Sequence, residues 1–239
     1  LALGGYWHTR YGTAACPICQ PERRKEQNAL TLADGNSGLL LSCKKAGCSF
    51  RDILAAAGVM PGDYVPPDAA VVAQREAEQR KEAEKREWKA RALWAEARPI
   101  TGTPAEAYLS RREISCPLPD TLRFHPAAWH PSAQRLPAMV ALVEGAERFA
   151  AHRTYLRPDG SGKASVEPAK AMLGSVKGGA VRLAHGIGPL VVCEGIETAL
   201  SLASGLLRAP ATIWAALSTS GMRGLRLPPD PGRLTIAPD

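Results

Sequence analysis

Aromatic residues are scarce in this chain, 5% of its 239 positions, and only three of them are Phe. No run of about 18 apolar residues occurs, and no signal-peptide pattern opens the sequence. Both absences argue against a membrane helix or a secretory route, so the chain reads as soluble and cytoplasmic, with no membrane partner. A starting Met is also lacking; Leu1 leads, which reads as a sequence with something missing upstream. Acid is the minority charge. Asp and Glu number 23 against 30 Lys and Arg, a net charge of +7 with a pI near 9.3. Such a balance favours polyanionic partners, nucleic acid being the commonest. Glycine (22) and proline (20) are plentiful, and 45% of residues are hydrophobic. That is enough for a real core in one or two domains joined by loops.

Four of the six cysteines cluster in the first fifth of the chain, as Cys16-Pro17-Ile18-Cys19 and Cys43-Lys44-Lys45-Ala46-Gly47-Cys48. Paired thiols in a cytoplasmic chain argue for metal over disulfides. Tetrahedral zinc takes four soft ligands at about 2.3 Å, and two residues between Cys16 and Cys19 let one turn deliver both thiolates. Between the pairs, Leu30-Thr31-Leu32 and Leu39-Leu40-Leu41 read as a hairpin turning over Asp34–Gly38. The layout is a zinc ribbon with Cys16, Cys19, Cys43 and Cys48 as ligands. Its rival is a set of four free or disulfide-bonded thiols, and His8 is an alternative ligand. A closed four-thiolate site is structural. The basic residues around it, Arg23, Arg24, Lys25, Lys44, Lys45 and Arg51, lie among Tyr6, Trp7, Tyr11 and Phe50. That mixture suits single-stranded nucleic acid, or else is a solvated face over a small core.

Pro61-Gly62 and Pro66-Pro67 interrupt the chain. From Asp68 to about Arg98 the sequence is helical and charged, with Glu76/Arg80, Glu82/Arg86 and Glu87/Arg91 in the favourable order. Trp88, Ala92, Leu93, Trp94 and Ala95 give an apolar stripe only at its end, which would dock on the next domain. A short helix starting at Pro104 follows, then a proline-rich path holding His125 and His130, read as loop histidines, and Cys116. Met139–Val143 and Phe149–Leu156 read as strands, the second with His152 and Thr154 on one face and Arg153 and Tyr155 on the other. Arg153, Arg157, Lys163, Lys170 and Lys177 form a basic tract with little acid, fit for phosphates or simply surface charge.

In the final stretch, Leu190–Val192 reads as a buried strand and Ile196–Leu207 as a helix. A second strand follows at Ala211–Ala216, a short piece flanked by Gly221 and Gly224, and a third strand at Arg233–Ala237. This is the pattern of a parallel sheet. Functional groups gather beyond the carboxyl ends of such strands. Glu194 and Asp239 stand there, either as ligands for magnesium or as solvated loop residues.

The stretch Val191-Val192-Cys193-Glu194-Gly195-Ile196-Glu197-Thr198-Ala199 resembles the first motif of Toprim domains, shared by bacterial-type primases, topoisomerases and some nucleases. Thr235-Ile236-Ala237-Pro238-Asp239 resembles the approach to the Asp-x-Asp motif, with Asp239 as its first Asp. The second Asp would follow Asp239, so the sequence reads as a fragment. Cys16-Pro17-x-Cys19, the hairpin and Cys43 to Gly47-Cys48 resemble the zinc-binding domain of bacterial and phage primases. The bacterial form differs in often having His where Cys19 stands.

The resemblance implies an α+β zinc ribbon, then a mixed α/β region leading into a Toprim domain with a Rossmann-like parallel sheet. The implied divisions are a zinc module at 1–60, a helical linker at 61–98, a primase basic subdomain at 99–188 and a Toprim domain at 189–239. It implies a primase making RNA primers on single-stranded DNA from ribonucleoside triphosphates, of phage, plasmid or other mobile-element type, with a replicative helicase as a partner. Glu194 and Asp239 would be catalytic and hold Mg²⁺ or Mn²⁺, and Arg153, Lys163 and Lys170 would bind nucleotide and template. A Toprim nuclease and a non-catalytic zinc-ribbon DNA-binding module are the alternatives.

Overall fold

A computed structural model describes residues 3–8, 11–35, 38–60 and 68–238. The Pro61-Gly62 and Pro66-Pro67 breaks, the Asn36-Ser37 hairpin tip and Asp239 lie outside them. The chain forms two compact units, Leu1–Glu78 and Gln79–Asp239.

In the first unit, β1 (Tyr6–Trp7), β2 (Gly12–Ala14), β3 (Leu30–Asp34) and β4 (Leu39–Cys43) form one antiparallel sheet in sequence order. The expected hairpin is β3–β4, with Leu32 opposite Leu41 and Leu30 opposite Cys43. Helix α1 (Phe50–Ala56) starts at Ser49, whose hydroxyl accepts the Asp52 N–H; this is an N-cap. Its Ile53 is buried with Leu30, Leu32 and Ala14 in a small core.

Helix α2 (Ala69–Glu96) begins in the first unit and ends in the second. Of the expected pairs, Glu82–Arg86 and Glu87–Arg91 form. The docking residues match the expected apolar stripe in part: Leu93 is buried and Trp94 packs against the same cluster. Ala90 and Leu93 are buried, whereas Trp88 is 69% exposed. Glu87 does much of the docking, accepting from Arg148 and from the Phe149 N–H.

The second unit carries two sheets. In the first, β5 (Arg98–Pro99), β6 (Leu122–Trp129), β7 (Arg135–Val143), β8 (Ala150–Tyr155) and β9 (Lys170–Gly174) run antiparallel in sequence order. The proline-rich path conceals β6, which Pro126 interrupts. Pro126 falls where the β6–β7 register slips between His125 and Ala128, a bulge where no ladder N–H is needed. His125 accordingly lies within β6 rather than in a loop, while His130 is in the loop that follows, and both are buried. His125 Nε2 pairs with Glu96 at 3.1 Å, and His130 bonds the Ser132 hydroxyl and the Pro168 carbonyl.

This sheet has two faces. Tyr155, Ala151, Val140 and Ala138 pack with Leu93 and Ala97 at the end of α2. Leu156, Ala150, Ala141 and Met139 pack the other way, with Tyr108 and Leu109 of α3 (Pro104–Ser110) and with the second sheet.

The second sheet has the order β10 (Val181–Ala184), β12 (Thr212–Ala215), β11 (Leu190–Cys193), β13 (Leu234–Ala237). β11 runs parallel to both β12 and β13, with Cys193 level with Ala215 and Ala237; β10 is an antiparallel addition on β12. A strand flanked on both sides and covered on both faces reads as a continuous apolar run, as Leu190-Val191-Val192-Cys193 does. Helix α4 (Ile196–Ser201) leaves directly from it, burying Ile196, Ala199 and Leu200. It passes into a π-helical turn at Leu202–Leu206, where Gly205 takes a φ of +115°. Ser204 of that turn accepts the N–H groups of Ser115 and Cys116, tying the post-α3 loop to the second sheet. Helix α5 (Thr219–Arg223) follows β12.

Candidate functional site

The candidate metal centre of the first unit is built by three local structures. Cys16 and Cys19 sit on one turn, Cys43 ends β4, and Cys48 precedes α1. Their four sulfurs lie within 4.8 Å of one another, and none is disulfide-bonded. Tetrahedral zinc at 2.3 Å places its sulfurs about 3.8 Å apart, and Cys19 Sγ stands 3.5 Å from Cys43 Sγ. The set therefore fits one zinc ion, held by Cys16, Cys19, Cys43 and Cys48. Surrounding groups prepare the thiols unequally. The Ala46 amide, foremost among several donors, lowers the Cys43 thiol to about 6, while burial pushes the Cys48 thiol up to about 12. Gln20 braces the turn, its side-chain oxygen accepting from both the Cys16 and Ala29 amides. His8 is turned elsewhere, 3.3 Å from the Thr13 hydroxyl and against the Tyr11 ring.

In the second unit, Glu194 stands one residue past β11, at the rim where β12 and β13 also end. Its backbone carbonyl accepts the Leu217 N–H at 2.9 Å, and its side-chain Oε2 accepts the Thr219 hydroxyl at 2.9 Å. Leu217 takes a left-handed φ of +69°, uncommon for a branched apolar residue. That turn brings Ser218 into place to cap α5 through the Gly221 N–H. Gly221 is obligatory here, because an added Cβ would run into the Ala216 carbonyl. The loop thus aims the Thr219 hydroxyl at Glu194. A lone carboxylate with one oxygen engaged by a hydroxyl matches the oxygen-donor preference of Mg²⁺. Asp239, its expected partner, lies outside the described residues.

In the first turn of α4, Glu197 makes a different environment. It is 7% exposed and meets Lys170 at 2.9 Å, Lys163 at 3.6 Å and the Tyr108 hydroxyl at 2.8 Å. Burial opposes its charge, yet the Lys170 ammonium and the hydrogen bonds around it win, lowering the carboxyl to about 2. The same burial, with the Glu197 charge, raises Tyr108 well above its ordinary value. His152 lies on this face of β8. Burial, then the Lys170 charge, lowers it to about 4, so the ring is neutral at pH 7. Its Nδ1 and the Thr154 hydroxyl have no hydrogen-bond partner among the described residues.

The residues expected to share a phosphate site are thus divided. Lys163 and Lys170 converge on Glu197, at the start of α4. Arg153 projects from the opposite face of the sheet, donating to the Trp129 and Met172 carbonyls. Glu197, Tyr108, His152 and Thr219 carry no role in the sequence reading. Only Glu197 left a trace there, as an acid three residues after Glu194; its lysines come from a strand and a loop more than 25 positions away.

Residues 189–239 match the Toprim domain family. Residues 84–183, which span the end of α2 and the five-stranded sheet, match a domain of unknown function (DUF7146). No curated protein matches the chain. The chain therefore carries a Toprim domain, a type found in primases, nucleases and topoisomerases and typical of metal-dependent nucleic-acid enzymes, together with a four-cysteine cluster able to bind zinc. Among the described residues no helix is long and apolar enough to cross a membrane.

Proposed function

We propose that this protein is a primase that starts RNA chains on single-stranded DNA. The observation that carries the reading is the pairing in one chain of a four-cysteine cluster that fits zinc with a Toprim domain whose Glu194 stands at the strand rim. Toprim nucleases and topoisomerases share the carboxylate; the preceding zinc ribbon resembles that of primases.

Glu194 and Asp239 would hold Mg²⁺ or Mn²⁺, which when bound neutralises triphosphate charge and activates an attacking hydroxyl. Thr219 fixes the Glu194 carboxylate in one orientation. Lys163 and Lys170 supply cationic heads beside the start of α4, where Glu197 pairs with both. An arriving triphosphate competes with Glu197 for these ammonium groups. The zinc module holds template.

The test is the full gene product incubated with single-stranded DNA, labelled ribonucleotides and Mg²⁺ or Mn²⁺, without primer. Short labelled products that disappear in Glu194→Ala are expected. Cleavage of the DNA with no such products would instead establish a Toprim nuclease, and binding alone a non-catalytic module.

A further inference from the structure

The five-stranded sheet has a second concave surface, on the side away from Glu197. A cavity of about 470 Å³ opens between the end of α2 and the β6–β7 hairpin, with Trp88, Lys89, Trp129, His130, Arg135 and Arg153 in its wall. Every one of these residues falls within 84–183, the stretch to which no activity is attached.

Three features define what this cavity suits. First, it carries two of the five tryptophans in a chain poor in aromatics, and both are exposed, Trp88 by 69% and Trp129 by 55%. Exposed indoles on one concavity are costly unless something covers them. Second, one of them is rigidly mounted. The Trp129 carbonyl accepts from Arg153 at 2.6 Å and from the Tyr155 hydroxyl at 2.7 Å, and the following His130 is held at both ring nitrogens. Third, the polar groups are cationic. Arg135 stands 4.5 Å over the Trp129 ring, Lys89 lies on the α2 side, and Arg153, itself 7% exposed, reaches the cavity with an Nε that has no hydrogen-bond partner among the described residues. The one carboxylate in the wall, Glu96, is engaged by His125.

Flat aromatic rings fixed beside cations, with a buried donor left over, match unstacked nucleobases on a phosphate backbone. A duplex keeps its bases stacked inside and would offer only phosphates to this surface. A protein partner would have to place carboxylates on Lys89 and Arg135 and an acceptor on Arg153 while also covering both rings, whereas a single nucleic-acid strand brings flat bases and phosphates together.

We propose that this cavity is a binding site for single-stranded nucleic acid, in which one or two bases stack on Trp88 and Trp129 while Arg135 and Lys89 meet the adjoining phosphates. It is separate from the Toprim rim and requires no nucleotide chemistry there. Base stacking on an exposed ring is worth about 1–3 kcal/mol per base, so removing a ring should weaken binding by about fivefold to a hundredfold.

The experiment uses the full chain and fluorescein-labelled (dT)12 and (rU)12, read by anisotropy without nucleotide or added magnesium. Trp88→Ala/Trp129→Ala should lose affinity at least tenfold, Trp129→Phe should restore part of it, and Arg135→Ala should weaken binding and flatten its salt dependence. All three changes are at exposed side chains, and circular dichroism checks folding. An oligonucleotide carrying 5-iododeoxyuridine should cross-link to the Trp88 or Trp129 peptide. A preference for (dT)12 would assign the site to DNA, and a preference for (rU)12 to RNA; either supports the proposal. Unchanged affinity in the double variant with cross-links confined to residues 1–60 or 189–239 would overturn it. So would a double variant that alters sedimentation mass but not oligonucleotide affinity, which would make the surface a protein contact.

Discussion

Lys170 Nζ lies 2.9 Å from Glu197 Oε2, and this half-buried contact joins the two sheets of the second unit: Lys170 opens β9, and Glu197 sits in the first turn of the helix that leaves β11. Lys163 and Tyr108 complete the arrangement. The seating of the two sheets therefore draws on the carboxylate that, in the proposed function, a triphosphate would displace from the two lysines.

Removing that carboxylate should cost stability. Glu197→Ala leaves the buried Tyr108 hydroxyl without its acceptor and two half-exposed ammonium groups facing each other, a loss of about 1–2 kcal/mol once solvent screening of the lysines is allowed for. The stabilisation by Glu197 has a definite pH window. Its folded value near 2 lies below the ordinary 4.5, so the benefit is complete above pH 4.5 and drains away as pH falls toward 2. Urea midpoints of the native protein and Glu197→Gln should differ at pH 7 and converge toward pH 3.

His152 acts in the range above. Unfolded, it takes up a proton near its ordinary 6.5; folded, burial and the Lys170 charge delay this to about 4. The unfolded chain thus binds the extra proton between those values, and stability falls as pH drops from 6.5 to 4, by at most about 1.4 kcal/mol per pH unit. Lys163 and Arg153 push in the same direction and Glu197 opposes them. The His152→Asn variant should show a flatter dependence of its urea midpoint across that interval. The native ring proton resonance should hold its neutral position down to pH 5.

The zinc cluster should bind one ion per chain. Metal analysis of purified protein should give a ratio near one, falling to near zero in Cys16→Ser/Cys43→Ser. Chelation should unfold the first unit, since its small core of Ala14, Leu30, Leu32 and Ile53 is built around the cysteines. The second unit should retain its far-UV signal.

At the rim, Thr219→Ala should leave the fold intact and reduce primer synthesis about tenfold, the effect of losing one hydrogen bond to a carboxylate. Gly221→Ala should do more, because its Cβ meets the Ala216 carbonyl and must push α5 away from Glu194. Adding a hydroxyl-bearing residue elsewhere on α5 should not rescue either variant.

Much of this was legible beforehand where the signal is local. The Cys pairs and the Leu30–Cys43 hairpin were readable because turn residues and thiol spacing sit within a few positions of each other. The three parallel strands around Glu194 were readable because an apolar run met a change of period at Gly195. β6 was not, since Pro126 masks it until the bulge opposite β7 is known. The partner of Lys170 was not either: Glu197 appears as one more helix-start acid until two sheets bring it under the basic loop. Arg153 was placed with the lysines because the chain shows charge but not which side of a strand faces which neighbour.

That last point bears on how this sequence can change over time. All six residues of β8 are buried, and they serve two customers in strict alternation. His152 and Thr154 look toward Glu197, while Arg153 and Tyr155 hold Trp129. Exchanging any one residue disturbs one side only. Inserting or deleting a single residue within the strand would turn every residue beyond that point to the wrong face and spoil both sides at once. Drift along β8 is therefore confined to substitutions, and length variation must fall in the loops at its ends.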